Sequence, residues 1–324
     1  MSVFLWRLHL SCQARSPKPE AQNSPMQYKN VSQIFSFIQN SPVQRFSLDI
    51  AESRGILLDI KREDLLHPVI SGNKWRKLKY LLLSIEAKGF RKVATMGGAY
   101  SNFIHSLSYV CHLLGWQCDL HIRAFPEQAP TPTLIDCMRW GANLHFADRK
   151  EFRELRNKQP QLPDDVLWIA EGGMHELSML GLQEIMMELN YQYDYIVIAT
   201  ATGTSVAGLI KGTKVYQPNA KIIGISVLNN AEQQRQDIIH LVADPSQDWS
   251  IVEGYEFGGF AKSNLDLTTF ILQVSQQHNI TLEPVYSGKS FYAVTDMIRK
   301  GKFADNSKIL LVHCGGLQGA RGNL

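Results

Sequence analysis

Long apolar runs, paired cysteines and blocks of one charge are all missing from this chain of 324 residues. No stretch reaches the roughly 20 apolar residues of a membrane-spanning helix, so we expect no membrane partner. The five cysteines are scattered singly, and their odd number argues against a disulfide framework, which favours a reducing, cytoplasmic location. The formal net charge of +3 is too small to favour nucleic acid as a partner.

The histidines also lack partners at the spacing of metal ligands. His105 and His112 lie on one stripe of a predicted helix, but no acidic or thiol residue accompanies them at ligand spacing. We interpret both histidines as packing residues and predict no metal site.

The start of the chain has little sign of a folded element. Arg7 and His9 interrupt its apolar residues, which makes a poor signal peptide. Residues 13–25 are polar and contain proline, a composition typical of disorder. We therefore predict a disordered extension over residues 1–26, and both Met1 and Met26 stay open as the start of translation.

From about Lys92 onward, the chain alternates short β-rich apolar runs with helical patterns. Strands that are apolar on both faces and separated by helices indicate parallel sheets covered on each side. The strands outnumber what one modest sheet needs, so we predict two α/β domains with a cleft between them. The predicted strands cover residues 92–96, 118–122, 144–146, 166–170, 195–200, 221–228, 251–253 and 308–313. Residues 265–278 and 290–300 are predicted as helices.

One lysine follows a tight turn, in the sequence Ser71-Gly72-Asn73-Lys74. Gly72 and Asn73 tolerate the backbone angles of such a turn, which would hold Lys74 where a helix begins. A lysine fixed in this way can act as an amine nucleophile if burial or a nearby cation lowers its pKa. An exposed basic helix end is the alternative, because more basic residues follow at once.

A second loop, Thr202-Gly203-Thr204-Ser205, follows the predicted strand at residues 195–200. Gly203 permits close backbone approach, and the helix after it offers free N–H groups and the positive end of its dipole to an anion. The loop is neither a Walker sequence nor GxGxxG, and an ordinary capped turn remains an alternative.

Several ordered segments carry a resemblance that runs from about residue 60 to residue 316. They are residues 61–65, 67–68, 71–74, 76–78, 101–102, 171–173, 202–204, 284–286, 288–289, 312–313 and 315–316. In these segments the chain resembles the tryptophan-synthase-β-like enzymes (fold type II), and within them the 1-aminocyclopropane-1-carboxylate deaminase and D-cysteine desulfhydrase family. The resemblance implies pyridoxal 5′-phosphate as cofactor, a small amino acid as substrate and a homodimer.

The same resemblance implies two doubly wound three-layer αβα domains with the cofactor in the cleft between them. The large cofactor-binding domain would comprise residues 27–76 plus 170–324, and the small domain would comprise residues 77–169.

It also implies roles for individual residues. Lys74 would carry the cofactor as a Schiff base and act as the base at Cα. Ser101 would lie near the substrate carboxylate, Asn102 would bond the cofactor 3′-oxygen, and Tyr286 would stand near the ring and the substrate. The cofactor phosphate would lie on Thr202, Gly203, Thr204 and Ser205.

The departures from the family pattern concern the pyridine nitrogen and the substrate. Ser287 replaces the acidic residue of the deaminases, Cys314 replaces a hydroxyl residue, and Phe260 replaces a second tyrosine. Ser287 and Cys314 are the only evident partners of the ring nitrogen, and neither is a carboxylate, so nothing evident would hold that nitrogen protonated. Cys314 could also be a simple packing residue.

We therefore expect α,β-elimination of a small, D-cysteine-like amino acid, giving an α-keto acid and ammonia. The alternatives are 1-aminocyclopropane-1-carboxylate deamination to 2-oxobutanoate, β-replacement with a second nucleophile, and a non-catalytic homologue that binds the cofactor.

Overall fold

A computed structural model describes residues 28–125, 127–229, 231–243 and 248–321. The predicted disordered extension lies outside these residues. In the part of the chain that is described, no helix combines the length and the apolar character that a membrane crossing requires.

The structure alternates strands with helices along almost its whole length. The strands are β1 (Val43–Arg45), β2 (Leu57–Lys61), β3 (Lys92–Gly98), β4 (Gln117–Arg123), β5 (Asn143–Ala147), β6 (Val166–Ile169), β7 (Tyr195–Thr200), β8 (Lys221–Ser226), β9 (Trp249–Val252) and β10 (Lys308–Val312). The helices are α1 (Val31–Phe35), α2 (Asp49–Glu52), α3 (Asn73–Ala87), α4 (Asn102–Leu114), α5 (Pro132–Arg139), α6 (Arg149–Asn157), α7 (Glu176–Met187), α8 (Thr204–Tyr216), α9 (Glu232–Val242), α10 (Leu265–His278) and α11 (Ser287–Arg299).

The larger sheet has six strands in the order β1-β2-β10-β7-β8-β9. Only the edge pair β1–β2 is antiparallel. Along β7 and β10, Val197 and Leu311 face one apolar core while Ile196 and Leu310 face another. The sheet is therefore buried on both faces, as its continuous apolar runs predict.

The smaller sheet has four parallel strands in the order β5-β4-β3-β6. One face packs Val93 and Leu120 against α3, α4 and α5. The other face places Met96 against Phe152 of α6. Each sheet thus has helices on both faces, and the predicted α/β fold of two three-layer units is confirmed. The residue limits of the two domains stay a prediction.

Helix α3 links the two sheets. Leu78 and Leu82 belong to the core of the smaller sheet, whereas Arg76 packs against α7, where a Cβ on Gly181 would approach the Arg76 carbonyl oxygen to 1.9 Å. A buried ion pair anchors the start of the helix: Arg76 Nε lies 2.9 Å from Glu63 Oε2. Any residue at the beginning of α3 is therefore held by both halves of the molecule.

The structure adds elements that the sequence patterns did not predict, namely β1, β2, α1, α2 and α9. Strand β1 is a three-residue edge strand, too short to show an alternating pattern. Helix α11 begins at Ser287, three residues before its predicted start, because the polar residues of its first turn are buried in a loop network rather than exposed.

Candidate active site

A cavity of about 590 Å³ opens where the carboxyl ends of strands from both sheets meet. Ligands bind at this end of parallel strands in open α/β sheets. Most of the predicted site residues line it: Lys74, Ser101, Asn102, Thr202, Gly203, Ser205, Tyr286 and Cys314. Thr204 and Ser287 do not, although both are buried next to residues that do.

Lys74 lies inside the protein at the first turn of α3. Its residue surface is 7% exposed, and its Nζ donates to Asn73 Oδ1 at 2.5 Å and stands 5.4 Å from the centre of the Tyr286 ring. Burial lowers the pKa of Lys74 because removing a charge from water disfavours the ammonium form. The alternative of an exposed basic helix end is therefore wrong.

Lys77 is a second buried amine, which the sequence analysis did not assign to the site. Its Nζ donates to the Gly172 carbonyl at 2.9 Å. Burial, and then the charge of Lys74, lower the pKa of Lys77 to about 7. The signal for it was the spacing of three from Lys74, which places both amines on one face of α3.

The loop at residues 202–205 forms the start of α8. Gly203 has φ 76° and ψ −22°, a left-handed conformation that favours glycine. No side chain caps this helix, so the N–H groups of its first turn have no intrahelical acceptor. Ser205 Oγ accepts from Asn73 Nδ2 at 2.7 Å, which ties the loop to the start of α3.

Asn102 presents an unpaired donor. The residue is 3% exposed, and its Oδ1 accepts from Gln318 Nε2. Its Nδ2 has no hydrogen-bond partner in the described part of the chain. A buried amide N–H without a partner is unfavourable, which points to an acceptor supplied by a ligand of this cavity.

Tyr286 and Cys314 lie near Lys74. The Tyr286 ring meets Phe260 edge to face, with ring centres 5.8 Å apart. Burial and the negative charge of Glu283 raise the pKa of Tyr286 far above its usual value. Burial also raises the pKa of the Cys314 thiol to about 11, so the thiol is neutral at neutral pH.

Glu283 is a buried carboxylate that the sequence analysis missed. It accepts hydrogen bonds from the backbone N–H groups of Val285, Tyr286 and Ser287 at 2.6–2.9 Å. The Ser287 hydroxyl donates to the same carboxylate at 3.1 Å. Ser287, the first residue of α11, is thus bonded to Glu283. Its predicted contact with the cofactor ring stays a prediction.

Lys289 holds the loop that carries Phe260 through hydrogen bonds to its backbone. The buried Lys289 Nζ donates to the carbonyls of Glu256 and Gly259 at 2.7 and 2.8 Å. Phe257 and Ala261 adopt positive φ values of 51° and 56°, which L residues rarely do. Backbone strain of this kind commonly marks a functional loop; the pair Gly288-Lys289 gave the sequence signal, without a role.

Comparisons with known proteins agree with this geometry. Residues 34–315 match the family described as pyridoxal-phosphate dependent enzyme. A Pyrococcus horikoshii protein named as a candidate 1-aminocyclopropane-1-carboxylate deaminase is 29% identical, over 86% of this chain and 90% of the relative. The Arabidopsis thaliana bifunctional D-cysteine desulfhydrase/1-aminocyclopropane-1-carboxylate deaminase, a mitochondrial protein, is 28% identical, over 86% of this chain and 77% of the relative.

A solved structure described as an ACC deaminase homologue superposes with a TM-score of 0.75 at 26% identity, covering 90% of this chain and 96% of its own. The family match spans most of the chain and includes the start of α3, the loop at residues 202–205 and the end of β10. The chain belongs to the pyridoxal-phosphate-dependent enzyme family.

Proposed function

We propose that this enzyme catalyses α,β-elimination and deamination of a small, D-cysteine-like amino acid, giving an α-keto acid and ammonia. The observation that carries the proposal is the buried, low-pKa Lys74 facing Tyr286 in a cavity that also contains an uncapped helix start.

The cavity fits pyridoxal 5′-phosphate on three counts. The start of α8 at residues 202–205 suits a phosphate group. Lys77 is an amine donor near that loop, since it bonds Gly172, where a Cβ would lie 2.8 Å from Thr202 Oγ1. The unpaired Asn102 Nδ2 suits the ring oxygen. With Lys74 as the attachment point, these residues would hold the cofactor.

When bound, the cofactor withdraws electrons from the substrate Cα. Lys74, whose pKa is lowered by burial, would take the Cα proton in its amine form. The bond between Cβ and sulfur then breaks, and its electron pair leaves with sulfur. The Tyr286 phenol stays protonated because its pKa is raised, so it can donate a hydrogen bond to the departing group. Water finally replaces the nitrogen, which leaves as ammonia.

Cys314 supports elimination over ring opening. Its neutral thiol offers no carboxylate to a ring nitrogen, and the oxygens of the nearby Glu283 are taken by backbone N–H groups. Phe260 also lacks the hydroxyl of the second tyrosine in the deaminases. The names of the relatives keep 1-aminocyclopropane-1-carboxylate deamination as the second candidate.

A panel of D- and L-amino acids, with detection of keto acid, ammonia and sulfide, tests the proposal. We expect pyruvate and sulfide from D-cysteine, and loss of both in Lys74→Ala. Production of 2-oxobutanoate from 1-aminocyclopropane-1-carboxylate without sulfide from cysteine would favour the second candidate. Turnover only with an added nucleophile would indicate β-replacement, and no turnover at all would indicate a non-catalytic homologue.

We also propose a homodimer in the cytoplasm, on the basis of the family resemblance. One relative is a mitochondrial protein, and cell fractionation tests the location.

A further inference from the structure

One face of α6 lines the outer part of the cavity with arginines. Arg149, Arg153 and Arg156 are spaced by four and three residues and so lie on one side of the helix. Arg123, at the end of β4, places its guanidinium 5.6 Å from the centre of the buried Phe152 ring. All four arginines contact the cavity, and we refer to them as the arginine face.

Three members of the arginine face have no hydrogen-bond or ion-pair partner in the part of the chain that the structure describes. Arg156 pairs with Glu171 at 3.4 Å and with Asp237 at 3.2 Å. Within the described residues, the side chains of Arg123, Arg149 and Arg153 make no hydrogen bond or ion pair. Arg149 also occupies the first turn of α6, where the helix dipole disfavours a positive charge. Arg149 and Arg153 are exposed and therefore contribute no ion pair to the stability of the described part of the chain.

The arginine face adjoins the reactive part of the cavity through Glu171. The charges of Arg156 and Arg123 act on the Glu171 carboxylate. Glu171 in turn acts on the Tyr286 hydroxyl, and Gly172, the next residue, accepts the hydrogen bond from Lys77. A small amino acid seated between Lys74 and Tyr286 would therefore lie in the same cavity as these arginines.

The two anionic groups expected in the cavity, the cofactor phosphate and the substrate carboxylate, both have binding groups outside the arginine face. The loop at residues 202–205 with Lys77 suits the cofactor phosphate, and the uncapped start of α4 at Ser101 suits the substrate carboxylate. Guanidinium groups favour phosphate, sulfonate and carboxylate oxygens. We infer that the preferred substrate is an amino acid whose side chain ends in an oxyanion, a phosphate or a sulfonate, held by the arginine face; this rests on the proposed function.

The reaction needs water as its only further reactant, and no oxidant or reductant. The Cα proton passes to the Lys74 amine, and the bond from Cβ to the phosphate oxygen or to the sulfonate sulfur breaks with its electron pair on the departing oxyanion. The arginines stabilise the charge that increases on this leaving group. Water then releases ammonia and leaves the three-carbon keto acid.

The test compares oxyanion substrates with a neutral substrate on the cofactor-loaded enzyme. O-phosphoserine and cysteate represent the two oxyanions, and O-acetylserine is the neutral reference, each as the D and the L form. We expect kcat/KM to be higher for one of the oxyanions than for O-acetylserine. The double variant Arg149→Gln/Arg153→Gln should lower the ratio of kcat/KM for that oxyanion to kcat/KM for O-acetylserine about tenfold or more. Each lost charge pair weakens the binding of the anion.

Lys150→Gln is the matched control, because Lys150 is an exposed cation of the same helix that does not line the cavity. It should leave the ratio within about twofold, as expected for a screened surface charge. An equal loss in the control and the double variant would mean that general attraction, and not the arginine face, sets the preference, and would overturn the inference.

A binding measurement separates this inference from the proposed function. α-Methylaspartate and α-methylasparagine cannot lose a Cα proton, and they differ in one side-chain charge. Calorimetry should show tighter binding of α-methylaspartate to the wild type, with the difference lost in the double variant. Equal binding, together with turnover of neutral substrates, overturns the oxyanion preference alone; no keto acid from any amino acid overturns the proposed function, whatever the binding result.

Discussion

Two buried amines one helical turn apart, Lys74 and Lys77, give the cavity its electrostatic character. Among the described residues, neither has a carboxylate hydrogen-bond partner: Lys74 donates to the Asn73 side chain and Lys77 to the Gly172 carbonyl. Two such groups cannot both stay charged inside a protein without an anion, which is why both pKa values are lowered. A bound phosphate would supply that anion.

The low pKa of Lys77 predicts how the stability of the cofactor-free protein varies with pH. Lys77 titrates near 7 when folded and near 10.5 when unfolded. Between these values the unfolded chain binds the proton and the folded chain does not, so the free energy of unfolding rises with pH across this window. In Lys77→Met, the rise between pH 7 and pH 10 should be smaller, as measured by urea unfolding. Parallel curves for the two proteins would show that Lys77 is charged when folded.

At this scale, most of the predicted site residues line the cavity, whereas two buried residues that hold its loops through hydrogen bonds were given no role. Lys74 and the loop at residues 202–205 have local turn signals. Glu283 has no such signal, and Lys289 belongs to a matched segment but was given no role, because both act on backbone groups that only the folded loops bring to them. Ser287 was expected to face the cofactor ring, but its hydroxyl bonds Glu283, four residues earlier in the chain.

At the scale of elements, the turn from β7 into α8 should be intolerant of side chains at Gly203. A Cβ at this position would lie 2.8 Å from Ile238 Cγ1 and 3.2 Å from the Gln234 carbonyl oxygen. Gly203→Val should cost about 1–3 kcal/mol of stability and abolish cofactor retention, measured from the visible absorbance after gel filtration. Normal cofactor retention in this variant would show that the loop does not bind the phosphate.

Gly141→Val is the control for backbone strain. Gly141 also has positive φ, at 81°, but nothing lies within 4 Å of the position of its Cβ. This variant should lose some stability yet keep the cofactor. Loss of the cofactor in both variants would attribute the effect to general destabilisation and not to the loop.

The anchoring of α3 should depend on the buried Arg76. Its guanidinium bonds Glu63, which is fully buried, and Glu188 at 2.6–2.9 Å. Arg76→Ala leaves an unpaired buried carboxylate, so the free energy of unfolding should fall by about 3–5 kcal/mol. The surface pair Arg45–Asp59, at 2.7 Å, is the control, and Arg45→Ala should cost about 0–1 kcal/mol. Equal losses in the two variants would contradict the anchoring role.

The sequence predicted elements best where their patterns were long. Strand β7 and helix α10 have the predicted limits, Tyr195–Thr200 and Leu265–His278. Strand β1 was missed because a strand of three residues is too short to show an alternating apolar pattern. The arginine spacing of α6 was visible in the sequence, but only the folded smaller sheet shows that this face of the helix lines the cavity.

At the scale of the whole molecule, two three-layer units meet at one cavity, and a second copy of the chain is expected. Exposed apolar side chains gather where α7 and α8 end, at Met187, Tyr191, Val215 and Tyr216, with 37–68% of each residue exposed. A patch of this kind is typical of an interface. Light scattering at micromolar concentration should give twice the chain mass, and Met187→Lys with Val215→Lys should lower it. A monomeric wild-type protein would contradict the proposed homodimer.

The identity of the lysine that carries the cofactor tests the central claim most directly. The enzyme is loaded with pyridoxal 5′-phosphate, reduced with borohydride and digested, and the labelled peptide is mapped by mass spectrometry, with Lys74→Arg as the control that should lose the label. Because Lys77 is equally buried and also has a lowered pKa, the measurement separates two real candidates. We predict a single label on Lys74; a label on Lys77, or one that persists in Lys74→Arg, would contradict the site described here.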